Sequence, residues 1–243
     1  MRAFVFASRN TKEILRDPLN LLFGIGFPLV LLFLLSAIQA NAPVELFDLQ
    51  RLTPGITVFG LSFMTLFSAT MIAKDRSSLL LERLYTTPMT AADFIVGYTV
   101  PIVPLAVLQC VICYTVAILL GLKMTIHIVW AIVCIVPISF LYVALGLLCG
   151  SVLTDKQVGG ICGALLTNLS AWLSGVWFDL ELVGGYFKKI AELLPFYHAA
   201  ELEKALFMGD FAAAAEHLLP VAVYSILATA AAVFCFLRQM KQQ

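Results

Sequence analysis

Few side chains in this sequence have the types and spacing that carry out chemistry. Cys110-Val-Ile-Cys113 has the two-residue gap of redox and metal motifs, although small apolar filling of a helix explains it better. His198-Ala-Ala-Glu201 would place two metal ligands on one helical face, without a third ligand at suitable spacing. Motifs for zinc proteases, nucleophilic hydrolases and phosphate-binding loops are missing. We therefore predict no catalytic residue, no metal site and no cofactor in this chain.

The composition excludes a soluble domain. The chain is 61% hydrophobic and 12% charged, which is more apolar side chain than 243 residues could bury in water. The net charge of zero gives no reason to expect a nucleic-acid partner. Because the apolar runs show no alternation, helices are favoured over a barrel. We predict an all-α integral membrane protein.

Six apolar runs are long enough to cross a hydrocarbon core of about 30 Å as helices. They cover residues 21–39, 54–73, 95–121, 127–150, 157–178 and 218–237 of a single transmembrane domain, 1–243. The first run, with Ala40-Asn41-Ala42 after it, also has features of a cleavable secretory signal. It is longer than the apolar core of such signals, about 7–15 residues, so we favour a membrane span.

The positions of Lys and Arg predict the orientation. With a cytoplasmic amino terminus, ten of the 15 Lys and Arg residues fall inside and five outside. This excess agrees with the positive-inside rule. We expect a multi-pass protein of the cell (plasma or inner) membrane with both termini in the cytoplasm.

Two segments outside the spans have helical patterns of their own. Residues 1–18 place Ala3, Phe4, Ala7, Thr11, Ile14 and Leu15 opposite four basic residues, which predicts an amphipathic helix on the inner membrane surface. The acidic outer segment 179–217 keeps an apolar periodicity interrupted by Gly184-Gly185 and Pro195. We predict two or three short extracellular helices there, the first re-entering the outer leaflet.

The six spans contain no fully charged side chain at depth. Ion-driven carriers usually need such residues, so their absence argues that the energy for any transport comes from another chain. The fifth span carries Gly159, Gly160, Gly163 and Ala164 at small-xxx-small spacing. This spacing predicts close helix packing, either within the subunit or across a dimer.

The charged stretch from Lys74 to Phe94 lies between the second and third spans, on the cytoplasmic side. If residues 75–87 form one helix, four charged residues fall within about 120° of one another, opposite three leucines. Leu79 projects from the middle of the charged face. The four charged residues are Asp75, Arg76, Glu82 and Arg83. Such a face is typical of a knob for a groove on a partner, although a merely solvated helix would have the same pattern.

Three motifs in order resemble the permease subunit of type-2 ABC exporters, the class of daunorubicin-type drug exporters, polysaccharide exporters and G-subfamily pumps. Leu15-Arg16-Asp17-Pro18 is similar to the start of the family's first span. Residues 75–88 resemble its coupling helix, an acid-Arg pair followed by Leu-Glu-Arg-Leu and Thr87-Pro88. Residues 194–210 resemble the Pro-led segment before its last span. Ser77-Ser78 departs from the family's common Gly-Thr, which leaves the bend of the coupling helix open.

The resemblance implies a dimer, of two copies or of related permeases, each resting its coupling helix on a cytoplasmic ABC ATPase that binds ATP and Mg. The ATPase contacts would be Asp75, Arg76, Leu79, Glu82, Arg83, Thr87 and Pro88. A substrate path between the second and fifth spans would be lined by Phe59, Phe63, Phe67, Asn168 and Trp172. Packing within the subunit or against lipid would equally explain this stripe. If it lines the path, the substrate is an amphipathic or hydrophobic drug, lipid-like molecule or peptide.

The leading hypothesis is therefore an ATP-driven exporter permease that is not itself an enzyme. Two alternatives stay open: an ion-coupled or facilitative carrier that acts without an ATPase, and a membrane anchor or assembly factor that transports nothing.

Overall fold

A computed structural model describes residues 2–41, 48–177 and 180–241, and the regular elements in these ranges are all helices. The described part of the chain confirms the predicted all-α fold. Residues 42–47 of the first predicted outer loop, and residues 178 and 179 where the fifth predicted span ends, lie outside it. In chain order the helices are α1 Arg2–Leu15, α2 Pro18–Asn41, α3 Leu49–Ser77, α4 Leu80–Tyr85, α5 Ala91–Leu119, α6 His127–Val152, α7 155–173, α8 Leu180–Val183, α9 Gly185–Leu193, α10 Pro195–Met208 and α11 Phe211–Lys241.

Five helices are long and apolar enough to cross a membrane: Pro18–Asn41, Leu49–Ser77, Ala91–Leu119, His127–Val152 and Phe211–Arg238. They match the first four predicted spans and the sixth. The fifth predicted span falls on α7, which carries Lys156, Gln157 and Asn168 and has a π-helical middle, Gly159–Leu166. At 1.5 Å per residue α7 is about 28 Å long. A sixth crossing stays a prediction.

Helix α3 is the centre of the bundle. It packs against α2, α5, α6, α7 and α10, and 89% of its most apolar window is buried, compared with 11% for α11. Its closest neighbour is α6, where an added Cβ at Gly146 would lie 2.6 Å from the Thr65 carbonyl oxygen. Thr65 also donates to the Tyr142 carbonyl at 2.8 Å. Small residues therefore let the two backbones approach, as in other membrane bundles.

The glycines of α7 are not closely packed within the subunit, although Val158 and Cys162 of α7 pack against Ala69 and Ala73 of α3. A Cβ added at Gly159 or Gly160 would meet no heavy atom within 4 Å, and one at Gly163 would meet only Leu66 of α3, at 3.5 Å. Close packing of these glycines across a dimer stays a prediction.

Helix α1 lies across the end of the bundle where α3 ends and α5 begins. Its buried residues are Phe6, Ala7, Asn10 and Ile14. The predicted apolar face differs from this stripe, because Gly97 of α5 leaves room for the Phe6 ring: a Cβ there would lie 2.2 Å from it. Phe4 and Leu15, both predicted on the apolar face, are exposed. Helix α1 thus has one apolar stripe that packs against the bundle and a second one that is exposed.

The outer segment contains three short helices, α8, α9 and α10. Helix α10 begins with Pro195 in its first turn and ends at Gly209, which has a left-handed φ of 81°. It packs into the bundle against α3, α6 and α11 rather than lying apart. A membrane re-entry by α8 or α9 stays a prediction.

Candidate functional site

The segment 75–88 is not one continuous helix. Helix α3 runs through Ser77, and α4 starts at Leu80 after a turn at Leu79, which has a left-handed backbone with φ 61°. The hydroxyls of Ser77 and Ser78 donate to the carbonyls of Lys74 and Asp75 at 3.0 and 3.2 Å. The two serines therefore form the end of α3. The bend, whose position the sequence left open, falls at Leu79.

The break determines what α4 presents at the surface. Leu81 is buried, whereas Glu82 and Arg83 are exposed and Leu79 is 52% exposed. Thr87 and Pro88 are exposed as well, in the turn between α4 and α5. Leu79 in the turn, with Glu82 and Arg83 on α4, is thus accessible at the surface, and its role as a knob for a partner stays a prediction.

Asp75 lies inside the protein, at 2% exposure. Both of its oxygens accept from the Arg9 guanidinium of α1, at 2.6 and 2.7 Å, and Oδ2 also accepts from the Tyr98 hydroxyl of α5 at 2.8 Å. This bidentate, charge-assisted pair is a strong type of hydrogen bond. Burial alone would lower the pKa of Arg9, but its bonds to Asp75 raise that pKa overall.

Arg76 is also committed to contacts within the chain. Its guanidinium donates to the carbonyls of Ser151 and Leu153, where α6 ends. A cation at a helix carboxyl end satisfies carbonyls that lack helical partners. The single-helix prediction put Asp75 and Arg76 on one face with Glu82 and Arg83; the turn at Leu79 separates the two pairs.

These bonds form a polar junction around the base of α4, which we call the α4 junction: Arg9, Asp75, Arg76, Tyr98 and Ser151. It ties α1, α3, α5 and α6 together. After α4, Thr90 and Asp93 cap the start of α5, since each side chain accepts from the other's backbone N–H, at 3.3 and 2.8 Å, in a capping box. The end of α3, from which the chain enters α4, is therefore bonded to three other helices.

The predicted path residues are not brought together within the subunit. Phe59, Phe63 and Phe67 of α3 are buried. Their rings pack against α2, with Phe63 and Phe27 centroids 5.5 Å apart. Trp177, which the sequence reasoning missed, closes this cluster with its centroid 6.1 Å from that of Phe59.

Asn168 and Trp172 of α7 face away from this cluster. Trp172 is 51% exposed, and Asn168 is exposed while its amide donates to the Ala164 carbonyl at 2.7 Å. They share their face with Ile161 and Leu165, which are exposed too. This exposed face of α7 packs against no other helix in the described part of the chain. It adjoins Gly159 and Gly160, which are also without close neighbours there.

The ABC-2 type transporter family matches residues 2–208, which include α1 through α10. The chain belongs to this family. ABC-2 chains are multi-pass membrane proteins that serve as transport subunits and work with an ATPase subunit. A search of curated proteins found no match.

The matched ABC-2 region also contains a buried carboxyl that the sequence reasoning placed outside the bundle. Glu203 of α10 is 0% exposed; it accepts from the Tyr114 hydroxyl of α5 at 3.1 Å, and its Oε2 has no hydrogen-bond partner among the described residues. Burial raises the pKa of Glu203 to about 8, only partly offset by the Tyr114 bond. A helical wheel of 195–208 would have found it, since Ala199, Leu202, Glu203 and Leu206 share one face.

The residues of the two motif spacings have ordinary contacts in the described part of this ABC-2 chain. Cys110 and Cys113 are buried free thiols of α5. Glu201 pairs with Lys204 at 2.7 Å, and His198 meets His217 of α11, with their Nδ1 atoms 2.9 Å apart. In the part of the chain that the structure describes, three or more metal-ligating side chains do not converge.

Proposed function

We propose that this chain is the permease subunit of an ATP-driven exporter and that the energy enters through α4. The observation that carries the proposal is the exposed Leu79 in the turn before α4, together with the exposed Glu82 and Arg83 on α4 itself, next to the α4 junction. A partner that pushes on this helix acts at once on α1, α3, α5 and α6. The ATP and Mg would be bound by the ATPase.

The contacts between helix ends support six crossings with both termini on the side of α4. Phe94 at the start of α5 stacks on Phe236 near the end of α11, with centroids 6.3 Å apart. At the other end of the bundle, His127 at the start of α6 meets Phe211 at the start of α11, at 6.0 Å. Helices α6 and α11 thus run in the same direction, so the chain between them has to return across the bundle. Helix α7 is the long segment available for that return.

The open face of α7 supports a second permease copy, either this chain or a related one. Asn168 and Trp172 are the predicted path residues that such a copy could face. Phe59, Phe63 and Phe67 would reach a substrate only if α2 moved away from α3. An apolar face with one amide and one indole suits an amphipathic or hydrophobic molecule moved out of the cytoplasm.

The test is a comparison of Leu79→Asp with Leu119→Asp. Both leucines are exposed, and Leu119 ends α5 at the opposite end of the bundle. We expect the wild type and Leu119→Asp to co-purify with an ABC ATPase identified by mass spectrometry. Leu79→Asp should lose most of that ATPase at unchanged permease yield. Equal ATPase recovery and equal ATP hydrolysis in both variants would contradict the proposal.

A carrier that works without an ATPase is the second candidate, and Glu203 is the observation that favours it. A buried carboxyl without a cation partner is the type of residue that ion-coupled carriers use. Proton uptake by liposomes that contain only this chain, abolished by Glu203→Gln, would support this function over the exporter.

A further inference from the structure

A cavity of about 1190 Å³ opens at the corner where α1 meets α2 and α3. Its walls come from α1, from Pro18 at the start of α2, and from Lys74 near the end of α3. It lies at the same end of the bundle as α4 and adjoins the α4 junction, because Arg9 is on its wall. The proposed transport function leaves this cavity without a role.

Three cations on the cavity wall have no carboxylate partner in the described ranges: Lys12, Arg16 and Lys74. The neighbouring charges are already engaged. Arg9 is bonded to Asp75 and also pairs with Glu13 at 2.8 Å. Asp17 accepts from the Asn20 backbone and amide, at 3.1 and 2.8 Å, as the cap of α2. Asp17 keeps its negative charge, so the wall, with four cations and two carboxylates, has a net positive charge of two, and Lys12, Arg16 and Lys74 are the cations left for an anion.

Exposed apolar side chains line the same cavity. Phe4 and Val5 of α1 are on its wall, and Leu19 and Leu22 of α2 continue the apolar surface along the first span. A soluble anion would gain no binding energy from this apolar surface. An acidic protein would match the charges but would have to cover leucines at the start of a membrane span. A phosphate with acyl chains attached fits both parts.

We propose that this cavity is a binding site for the headgroup of an anionic phospholipid, with Lys12, Arg16 and Lys74 around the phosphate and Phe4 and Val5 against the acyl chains. A bound lipid would tie α1 to the end of α3 and so steady the α4 junction from the membrane side. The site needs this end of the bundle to lie at a membrane surface, but it does not need a partner ATPase.

The test is a titration of the purified chain in detergent with phosphatidylglycerol, phosphatidylcholine or inorganic phosphate, followed by native mass spectrometry. We expect one phosphatidylglycerol to be retained at least about tenfold more strongly than phosphatidylcholine, since each basic residue near a membrane surface contributes measurably to anionic lipid binding. The triple variant Lys12→Gln/Arg16→Gln/Lys74→Gln should lose this preference.

The matched control is Lys123→Gln/Lys156→Gln/Lys189→Gln, which removes the same charge from positions that do not line the cavity. It should keep the preference, and both variants should melt like the wild type. Equal phosphatidylglycerol retention by the two variants would overturn the proposal. Competition by inorganic phosphate at equal concentration would make the cavity a free-anion site and overturn it too. Loss of the ATPase with phosphatidylglycerol binding unchanged would assign this surface to the ATPase instead.

Discussion

Asp75 and Glu203 are both buried carboxylates, at opposite ends of the helix bundle. Asp75 accepts two N–H groups of Arg9 and the hydroxyl of Tyr98. Glu203 accepts only the Tyr114 hydroxyl, and its second oxygen is without a hydrogen-bond partner among the described residues. The carboxyl group of Asp75 therefore joins three helices, as a brace between them, whereas that of Glu203 has one oxygen without a hydrogen bond.

The difference shows that the role of a buried carboxyl group depends on whether an opposite charge lies next to it. Arg9 supplies the opposite charge, so Asp75 can join α1, α3 and α5 permanently. The titratable groups that face Glu203 are Tyr114, Cys110 and Cys134, which are ordinarily uncharged at neutral pH. With its pKa raised to about 8 by burial, Glu203 can gain or lose a proton near neutral pH.

Breaking the Asp75 brace should have the largest effect. Arg9→Leu leaves Asp75 buried with one hydroxyl donor, and we expect a loss of about 3 kcal/mol of unfolding free energy, near the low end for a broken buried pair because Arg9 is partly exposed. Denaturant unfolding in detergent measures it.

The controls for that prediction use the same assay. Lys156→Leu, which removes an exposed lysine at the same end of the bundle, should change stability by less than about 0.5 kcal/mol. The double variant Arg9→Leu/Asp75→Leu should recover part of the loss, because the buried charge is gone. A double variant as unstable as the sum of the single ones would contradict the brace.

The second prediction concerns pH and Glu203. Between its ordinary pKa of 4.5 and the raised value of about 8, only the unfolded chain releases the Glu203 proton, so stability falls as pH rises. From pH 6 to 7.5 we expect the wild type to lose about 2 kcal/mol that Glu203→Gln keeps. Melting temperatures across this range measure the slope. Parallel curves for the two proteins would show that Glu203 does not titrate there.

Removing the hydroxyl of Tyr114 or of Tyr98 should have a smaller effect on stability. Tyr114→Phe removes the one donor to Glu203 among the described residues, so the pH-dependent loss of stability should extend to higher pH. Tyr98→Phe leaves both Arg9 bonds to Asp75 and should cost about 1 kcal/mol without adding pH dependence. The same melting series tests both variants. A pH-dependent Tyr98→Phe would mean that Arg9 does not compensate Asp75.

The smallest effect on stability is expected at Leu79, where the left-handed backbone is strained and no buried charge is involved. Leu79→Gly removes the cost of a left-handed leucine, so the variant should be up to about 1 kcal/mol more stable. It should nevertheless bind less ATPase, because the exposed leucine is lost. A less stable Leu79→Gly would show that the turn depends on the leucine side chain.

The sequence predicts the positions of α2, α3, α5, α6 and α11 because long uncharged runs have no alternative to a membrane helix. It also identifies the α4 segment, since a charged stretch between two such runs has to lie outside the hydrocarbon core. The turn at Leu79 could not be predicted: Ser77 and Ser78 are compatible with either a helix or a bend, and the path back to α5 decides between them.

Glu203 shows a second limit. Its segment is acidic overall, which favours an exposed outer loop, yet α10 is amphipathic and buries one acid with its apolar face. The partner, Tyr114, is 89 residues away in the chain, so no local pattern predicts this pair. Likewise, a wheel of residues 75–87 could not find that Asp75 and Arg76 bond to α1 and α6.

The central claim, that a separate ATPase acts on α4, can be tested by a photo-crosslinking amino acid at position 79 and, in a second sample, at position 119. In membranes that contain the ATPase, we predict a crosslink from position 79 to the ATPase whose yield changes when ATP is added, and none from position 119. A permease that supports ATP-dependent transport without any crosslink from position 79 would contradict this account.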